Sequence, residues 1–333
     1  MNKKAITISL WLLLVLFLAL LPKMISGYHI DFFITFAIFA TYAVSLNMLL
    51  GYMGLLSFGH AAYFGMGGYG TALALKHIDG ISLLPALAIG IIAAALLAVV
   101  IAPIVARVRG AAFAMIHLAL GMVMYTMSLK MRNITGGEDG LGGFPQPGVE
   151  FFGLFSISMN PTSVNFYYLA VIILGASLWL MWFFTKTPFG QVQVAMRDNQ
   201  KRIAYMGYRI PHSRSLVYVV AGLFAGVAGS IYAVFHNLVS TDGQFNVLVS
   251  FTPILAAMLG GVGSFFGPIL GTGLFLIVED VALDYTSRVE IVVGALLVFI
   301  IMFMPYGIMG WLYMLHMKWA AWRTGSGEEE KTT

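Results

Sequence analysis

Residues 81–110 read ISLLPALAIGIIAAALLAVVIAPIVARVRG, an uncharged and mostly apolar run that ends at Arg107 and Arg109. A helix needs about 20 such residues to cross the hydrocarbon core of a bilayer, and Lys and Arg gather at the cytoplasmic end of a span. This stretch therefore reads as a membrane-spanning helix with a basic, cytoplasmic terminus. Comparable runs recur on both sides of it, at 5–22, 31–50, 54–75, 111–130, 164–185, 216–236, 249–264, 267–283 and 291–313. Hydrophobic residues make up 60% of the 333 and charged residues 10%, a balance foreign to water-soluble cores. The expected fold is all-α, a polytopic membrane protein of about ten spans.

Alternation along these runs assigns the sides. Lys3 and Lys4 precede the first run and no small-residue cleavage site follows it, so it is expected to stay as a helix with a cytoplasmic N-terminus. Arg107 and Arg109, the segment 186–215, and the tail with Lys318 and Arg323 then all fall inside, as the distribution of Lys and Arg requires. The expected organisation is a membrane domain over 1–315, with an external segment at 131–163, a cytoplasmic loop at 186–215 and a cytoplasmic tail at 316–333. The net charge of +4 sits in loops and termini, where it sets orientation, and implies no nucleic acid. The absence of cysteine excludes a disulfide scaffold and a thiolate metal site.

The 37 glycines concentrate in two places. One cluster runs from Gly51 and Gly54 through Ser57, Gly59 and His60 to Gly65, Gly67 and Gly68. The other runs from Gly260, Gly261 and Gly263 through Gly267 to Gly271 and Gly273. Small residues let helices approach closely in lipid. Paired Gly-interrupted segments also mark the broken or re-entrant helices that border a substrate path. Both readings apply to the runs at 54–75, 249–264 and 267–283. Polar groups inside spans are costly and are candidate sites by default. Asn47, Ser57 and His60, with Gly59, Gly260, Gly261 and Gly263, form the candidate path, and His117 and Thr126 are further intramembrane polar groups. A histidine bonded to a neighbouring helix is the competing reading for His60.

Between Lys186 and Arg214 the chain carries six Lys or Arg against one Asp. Asp198 or Asn199 suits the cap of a short helix through Lys201, Arg202, Ile203 and Met206. Val192, Ala195, Met196, Asn199, Ile203 and Met206 recur at spacings of three and four. An amphipathic helix of this kind fits a groove on a partner protein, or it lies on lipid with its basic groups at phosphates. On the other side, Thr135, Glu138 and Asp139 invite a calcium-loop reading, but the regular ligand spacing is missing and a tight turn fits better. No metal is expected.

Asp31, Glu279, Asp280, Asp284 and Glu290 fall at span ends, which leaves no carboxylate at mid-membrane for an ion-coupled transporter beyond the Gly-rich breaks. A channel filter and a clustered enzymatic site are likewise not evident, the seven histidines being dispersed. No Gly-x-x-x-x-Gly-Lys-Ser/Thr occurs, so ATP, if it drives the process, is hydrolysed by another chain. An ion-coupled secondary transporter of a small organic solute is the alternative.

Four segments in order, Asn47–Gly65, Thr135–Leu141, Ala195–Asn199 and Leu259–Ser264, resemble the recurrent segments of branched-chain amino-acid ABC transporter permeases, on the side of the longer of the two permease subunits. The resemblance covers about 40 to 310. It departs where Gln191 and Gln200 stand in place of a common Arg and Glu. What it implies is a non-enzymatic transport subunit of a bacterial inner-membrane importer of branched-chain or similar small apolar amino acids. The implied partners are a second homologous permease, two cytoplasmic ABC ATPases and a soluble binding protein, besides membrane lipid. ATP would serve the ATPases, and this chain would bind no cofactor. Gln191, Met196, Arg197, Asp198, Asn199, Gln200, Arg202 and Gly207 would belong to the ATPase-coupling loop. Thr135, Glu138 and Asp139 would lie where the binding protein docks.

Overall fold

The computed structural model describes residues 21–22, 27–151, 155–157, 164–286, 288–303 and 307–324. The expected first span lies outside them except for Leu21 and Pro22, as do parts of the external segment and of the tail. In chain order the elements are α1 (Gly27–Met53), α2 (Ala61–His77), α3 (Leu83–Val105), α4 (Gly110–Lys130), α5 (Arg132–Thr135), β1 (Leu141–Gly142), β2 (Val149–Phe151), β3 (Phe155–Ile157) and α6 (Val164–Lys186). There follow α7 (Pro188–Asp198), α8 (Gln200–Tyr205), α9 (Ile210–His236), β4 (Leu238–Val239), α10 (Thr241–Phe245), α11 (Val247–Gly260), α12 (Gly267–Tyr285), α13 (Val289–Phe303) and α14 (Gly307–Thr324). Among the described residues, α1, α3, α4, α6, α9 and the segment Thr241–Gly260 are long and apolar enough to cross a membrane. The chain is a multi-pass, largely helical membrane protein.

α1 is the axis of the bundle. Ile34, Ile38, Tyr42, Leu46, Met48 and Leu49 on it are buried, and it packs against α6, α7, α9, α11 and α12. It ends where Gly54 takes the left-handed conformation, φ +67°, which glycine reaches without the steric penalty a Cβ brings. The amide of Gly54 returns to the carbonyl of Leu50 (3.1 Å), the bond of an αL C-terminal cap, and that of Leu55 to Leu49 (2.9 Å). The sequence pattern continues a span through 54–75, but residues 54–57 have no regular structure and α2 begins only at Ala61. That is the broken form of the two readings of this run. At 17 residues, α2 is about 26 Å long, short of a hydrocarbon core of about 30 Å.

The core of the bundle is the mutual packing of α2, α3 and α9, brought to backbone contact by small residues. A Cβ added at Gly67 would lie 2.2 Å from the carbonyl oxygen of Gly226, and one at Gly229 would lie 1.9 Å from that of Phe64. Gly90 of α3 and Gly70 of α2 meet in the same way, a Cβ on Gly70 falling 2.9 Å from the Cα of Gly90. Ser230 and Thr71 donate to the carbonyl of Gly67 at 3.0 and 2.9 Å, adding hydrogen bonds where the backbones touch. In lipid such contacts and dispersion, rather than exclusion of water, hold helices together. α11 and α12 form a second closely packed pair through Gly260, Gly267 and Gly271. The glycine clusters thus serve close packing at some residues and interruption of the helical path at others.

On the face opposite the loop 186–215, β1 pairs antiparallel with β4, Leu141 opposite Val239, and ties the external segment to the end of α9. β2 and β3 form a separate hairpin.

Gly229→Ala places a methyl group against the Phe64 carbonyl, with backbone on both sides and nothing flexible to give way. Overpacking of this kind costs about 1–3 kcal/mol, and thermal unfolding of the purified protein in detergent should fall accordingly. Gly175→Ala in α6, where a Cβ meets nothing within 4 Å, should leave unfolding unchanged or raised.

Candidate functional site

The expected path residues separate into two groups, both anchored on the last three turns of α1. The first group lies inside the bundle at the start of α2. His60, Ser57 and Ser45 are fully buried, and His60 stacks on Tyr42 with the rings 5.4 Å apart and 12° from parallel. Ser45 gives its hydroxyl hydrogen to the Tyr42 carbonyl (2.7 Å), so at 2.9 Å it accepts from His60 Nε2. That fixes the hydrogen on Nε2 and leaves Nδ1 as a bare acceptor which, like the Ser57 hydroxyl, has no partner among the described residues. Gly59 adjoins α4 so closely that a Cβ would lie 1.8 Å from the carbonyl of His117. His117 Nδ1 donates to the Phe113 carbonyl at 2.9 Å, so its Nε2 accepts from the Tyr218 hydroxyl at 2.6 Å. Tyr218 in turn accepts from Tyr63. This polar core joins α1, α2, α4 and α9 and is shut off from solvent on every side.

The second group lies at the end of the bundle nearest the loop 186–215. Asn47 donates to the carbonyl of Ser264 at 2.9 Å and accepts from the amide of Gly263 at 3.5 Å, pinning the break between α11 and α12 to α1. Gly261 and Gly263 take positive φ there, +114° and +94°. Gly260 and Gly261 are buried, whereas Gly263 faces out. Asn47, Gly260, Gly261 and Gly263 are therefore brought together, and His60, Ser57 and Gly59 stand apart from them. Thr126 is exposed and its hydroxyl returns to the Met122 carbonyl at 2.8 Å.

The loop 186–215 holds two helices in place of one. Thr187 caps α7, accepting from the amide of Gly190 at 3.2 Å, with Pro188 at the first helical position. Asn199 caps α8, accepting from Arg202 N at 3.1 Å. The extended backbone at Asn199, φ −149°, breaks the six-residue stripe read from the sequence. Met196 and Ile203 are buried, Val192 and Ala195 are partly so, and Asn199 and Met206 are exposed. α7 rests on its own bundle, in the seam between α1, α6 and α9, where Gln193 joins Met48, Tyr52, Phe184, Thr185, Gly190 and Val217 around a small crevice. Gln191, Asp198 and Arg202 face outward, Gln200 is half-buried, and Gly207 at φ +89° ends α8. Arg197 reaches in to the carbonyl of Gly51 at 2.5 Å.

Sequence reasoning passed over Tyr205, which stands 89% exposed beside Met206 at 65% on the tip of α8. A single aromatic among charges leaves no periodic signal. It also passed over Asp242, which accepts from the Tyr125 hydroxyl at 2.8 Å at the end of the bundle away from the loop 186–215. The cap signature Ser240–Gly243 was the available sign, and Ser240 does accept from Gly243 N at 3.0 Å.

In the external turn, Thr135 points inward and shares its hydroxyl hydrogen between the carbonyls of Ser128 (2.5 Å) and Met131 (2.9 Å). Asp139 pairs with Arg132 at 2.9 Å, both well exposed. Glu138 is exposed beside it.

A family described as branched-chain amino acid transport system / permease component matches residues 28–304. Among similar proteins is the high-affinity branched-chain amino acid transport system permease protein LivM of Escherichia coli, 26% identical over 305 residues, covering 86% of this chain and 71% of that protein. BraD of Pseudomonas aeruginosa, of the same description, is 25% identical over 82% of this chain and 91% of its own length. LivH of Salmonella typhimurium, also a permease protein of such a system, is 24% identical over 88% and 96%. No solved structure matches the chain.

Tyr218→Phe should strip His117 Nε2 and the Tyr63 hydroxyl of their shared partner. Buried groups left unpaired cost about 1–3 kcal/mol, so thermal unfolding in detergent should drop. A melting temperature equal to that of the unaltered chain would contradict the network.

Proposed function

Because the chain belongs to the family of branched-chain amino acid transport permease components, we propose that it is a membrane-spanning subunit of an ATP-driven importer. It moves branched-chain or similar small apolar amino acids inward by alternating access, with ATP hydrolysed in separate subunits. The observation that carries this reading beyond the family is the pair α7–α8, which stands at the cytoplasmic end and is seated on the bundle by its buried face. Its outer face offers Gln191, Asp198, Arg202, Tyr205 and Met206. An aromatic and a methionine exposed side by side, rimmed by charge, fit the anchors by which a short helix enters a partner's groove.

In this reading ATP-driven closure of two cytoplasmic ATPases presses on α7–α8, and the helix bundle rocks between outward- and inward-open forms. A second homologous permease completes the path, and a soluble binding protein delivers substrate at the external segment near Glu138 and Asp139. The path passes the breaks at 54–60 and 261–266, where Asn47, Ser57, Gly59, His60, Gly260, Gly261 and Gly263 lie. His60 and Ser57 are shut off from solvent here, as an occluded stage of such a cycle requires. The chain sits in the bacterial cytoplasmic membrane with both termini inside.

Purification of the tagged chain from its native membrane should bring down a second permease and P-loop ATPases, identified by mass spectrometry. Tyr205→Ala should reduce the recovered ATPases at least about tenfold, as loss of a hot-spot aromatic costs 2 kcal/mol or more, while leaving the second permease bound. Full recovery with Tyr205→Ala would place the ATPase contact elsewhere. A lone chain that transports tritiated leucine without ATP would overturn the assignment.

A further inference from the structure

Arg197 of the cytoplasmic loop is exposed over part of its surface, yet its guanidinium turns back into its own bundle. Its Nη1 donates to the carbonyl of Gly51 at 2.5 Å, across 146 positions of sequence. That carbonyl belongs to the last turn of α1, where four oxygens have no intrahelical donor and the helix dipole presents its negative end. The cap formed by Gly54 and Leu55 uses Leu50 and Leu49 and does not reach Gly51. The guanidinium therefore supplies the missing donor and the favourable charge in one contact.

Two further contacts set this arginine apart. Its Cγ lies 3.4 Å from where a Cβ would stand on Gly54, the residue that opens the break before α2. Its Nη1 lies 3.5 Å from the equivalent point on Gly263, within the break before α12. A Cβ built on Gly51 would in turn fall 2.8 Å from the amide of Gly263, so the last turn of α1 touches the second break at this spot. Asn47, one turn back on α1, holds the second break by its carboxamide. One side chain of α7 thus sits where the end of α1 and both Gly-rich breaks converge.

We infer that Arg197 is a positioning residue that links the cytoplasmic helix pair to both breaks, and that it acts inside the permease and makes no contact with the ATPase. This inference rests on the importer reading above. A hydrogen bond at 2.5 Å is lost once α7 shifts by about 1 Å relative to α1. Movement imposed on α7 by a partner therefore either carries the end of α1 with it or releases that end together with Gly54 and Gly263. In both cases the segments that move are those from which α2 and α12 start, so a push at the membrane surface reaches the helices that begin within it. Lysine in place of arginine keeps the charge but gives up the planar guanidinium that meets the Gly51 carbonyl beside Gly263.

The test compares the complex purified from native membranes with its Arg197→Gln and Arg197→Lys forms in proteoliposomes. The quantity read is tritiated leucine moved per ATP hydrolysed. Arg197→Gln should keep the ATPases bound in the purified complex and lower this ratio about tenfold, with Arg197→Lys falling between. A ratio for Arg197→Gln within twofold of the unaltered complex would overturn the proposal, as would loss of the ATPases from that complex. Should Arg197→Gln fail to accumulate, Arg197→Lys carries the test, an unchanged ratio overturning it. Hydrogen exchange on the unaltered and Arg197→Gln chains in detergent reads the link without any transport. Faster exchange at both 50–58 and 261–266 is expected, and faster exchange at 50–58 alone would overturn it. If the unaltered complex shows no ATP-dependent leucine uptake, the importer reading fails on that control, and the exchange result still decides the link.

Discussion

The carboxamide of Asn47 is the constraint from which the rest of the bundle hangs. A chain that leaves the helical path inside a bilayer exposes amides and carbonyls for which lipid has no partner. Here the break at 261–266 is held by a side chain that offers donor and acceptor together, to Ser264 and Gly263. Two residues earlier on the same helix, Ser45 holds the other break through His60, and one turn later the Gly51 carbonyl meets Arg197. A stretch of α1 less than three turns long thus organises both irregular segments and their connection to the cytoplasmic face. One turn earlier on the same helix Tyr42 packs on His60 and Phe64, and Tyr63 meets Tyr218 edge-on beside them.

The basic residues around the loop 186–215 divide into two populations. Arg197, although partly exposed, and Arg214 reach back to the bundle and cap helix ends. Arg214 is buried and approaches the carbonyls of Ala106 and Val108 at the end of α3, at 3.5 and 3.4 Å. Lys201, Arg202 and Arg209 stay in solvent. Counting positive charge along a loop locates the cytoplasmic side by either population, because both sit at that surface. Only the inward pair also joins elements distant in sequence, since a guanidinium has enough donors to serve two carbonyls at once.

Much of this architecture was legible in the residues. Runs such as 81–106 and 164–185 became α3 and α6 nearly as read, because hydropathy over about 20 residues reports the one property a span must have. The break after Gly54 was hidden by its own composition: Leu55, Leu56 and Phe58 are as apolar as any helix, and hydropathy is blind to backbone conformation. Glycines at 51, 54 and 59 marked the place without saying whether they served close packing or a turn, and the structure uses them for both. His60 was legible as a polar group in a span, but its pairing with Ser45 needed the path of the chain through the break. The cap at Asn199 followed from local chemistry. The division of labour between α7, folded against the bundle, and α8, facing out, did not, because two short helices and one long one share the same spacing of apolar residues until the capping residue turns the chain.

The brevity and small-residue content of α2 bear on how the protein is made. With Gly65, Gly67, Gly68 and Gly70 in 17 residues, this segment gains little from lipid alone, and the backbone contacts that hold it come from Gly226 and Gly229 of α9. About 150 residues of chain separate the end of α2 from those partners, roughly 10–30 s of synthesis at typical rates. Throughout that interval α2 has α3 beside it, with contacts from α1 and α4 but none from α9, and this assembly must stay in place while the remaining chain emerges. The nascent protein therefore passes through a stage in which its eventual centre is its least stable part, and the arrival of α9 is the step that commits it to the native bundle.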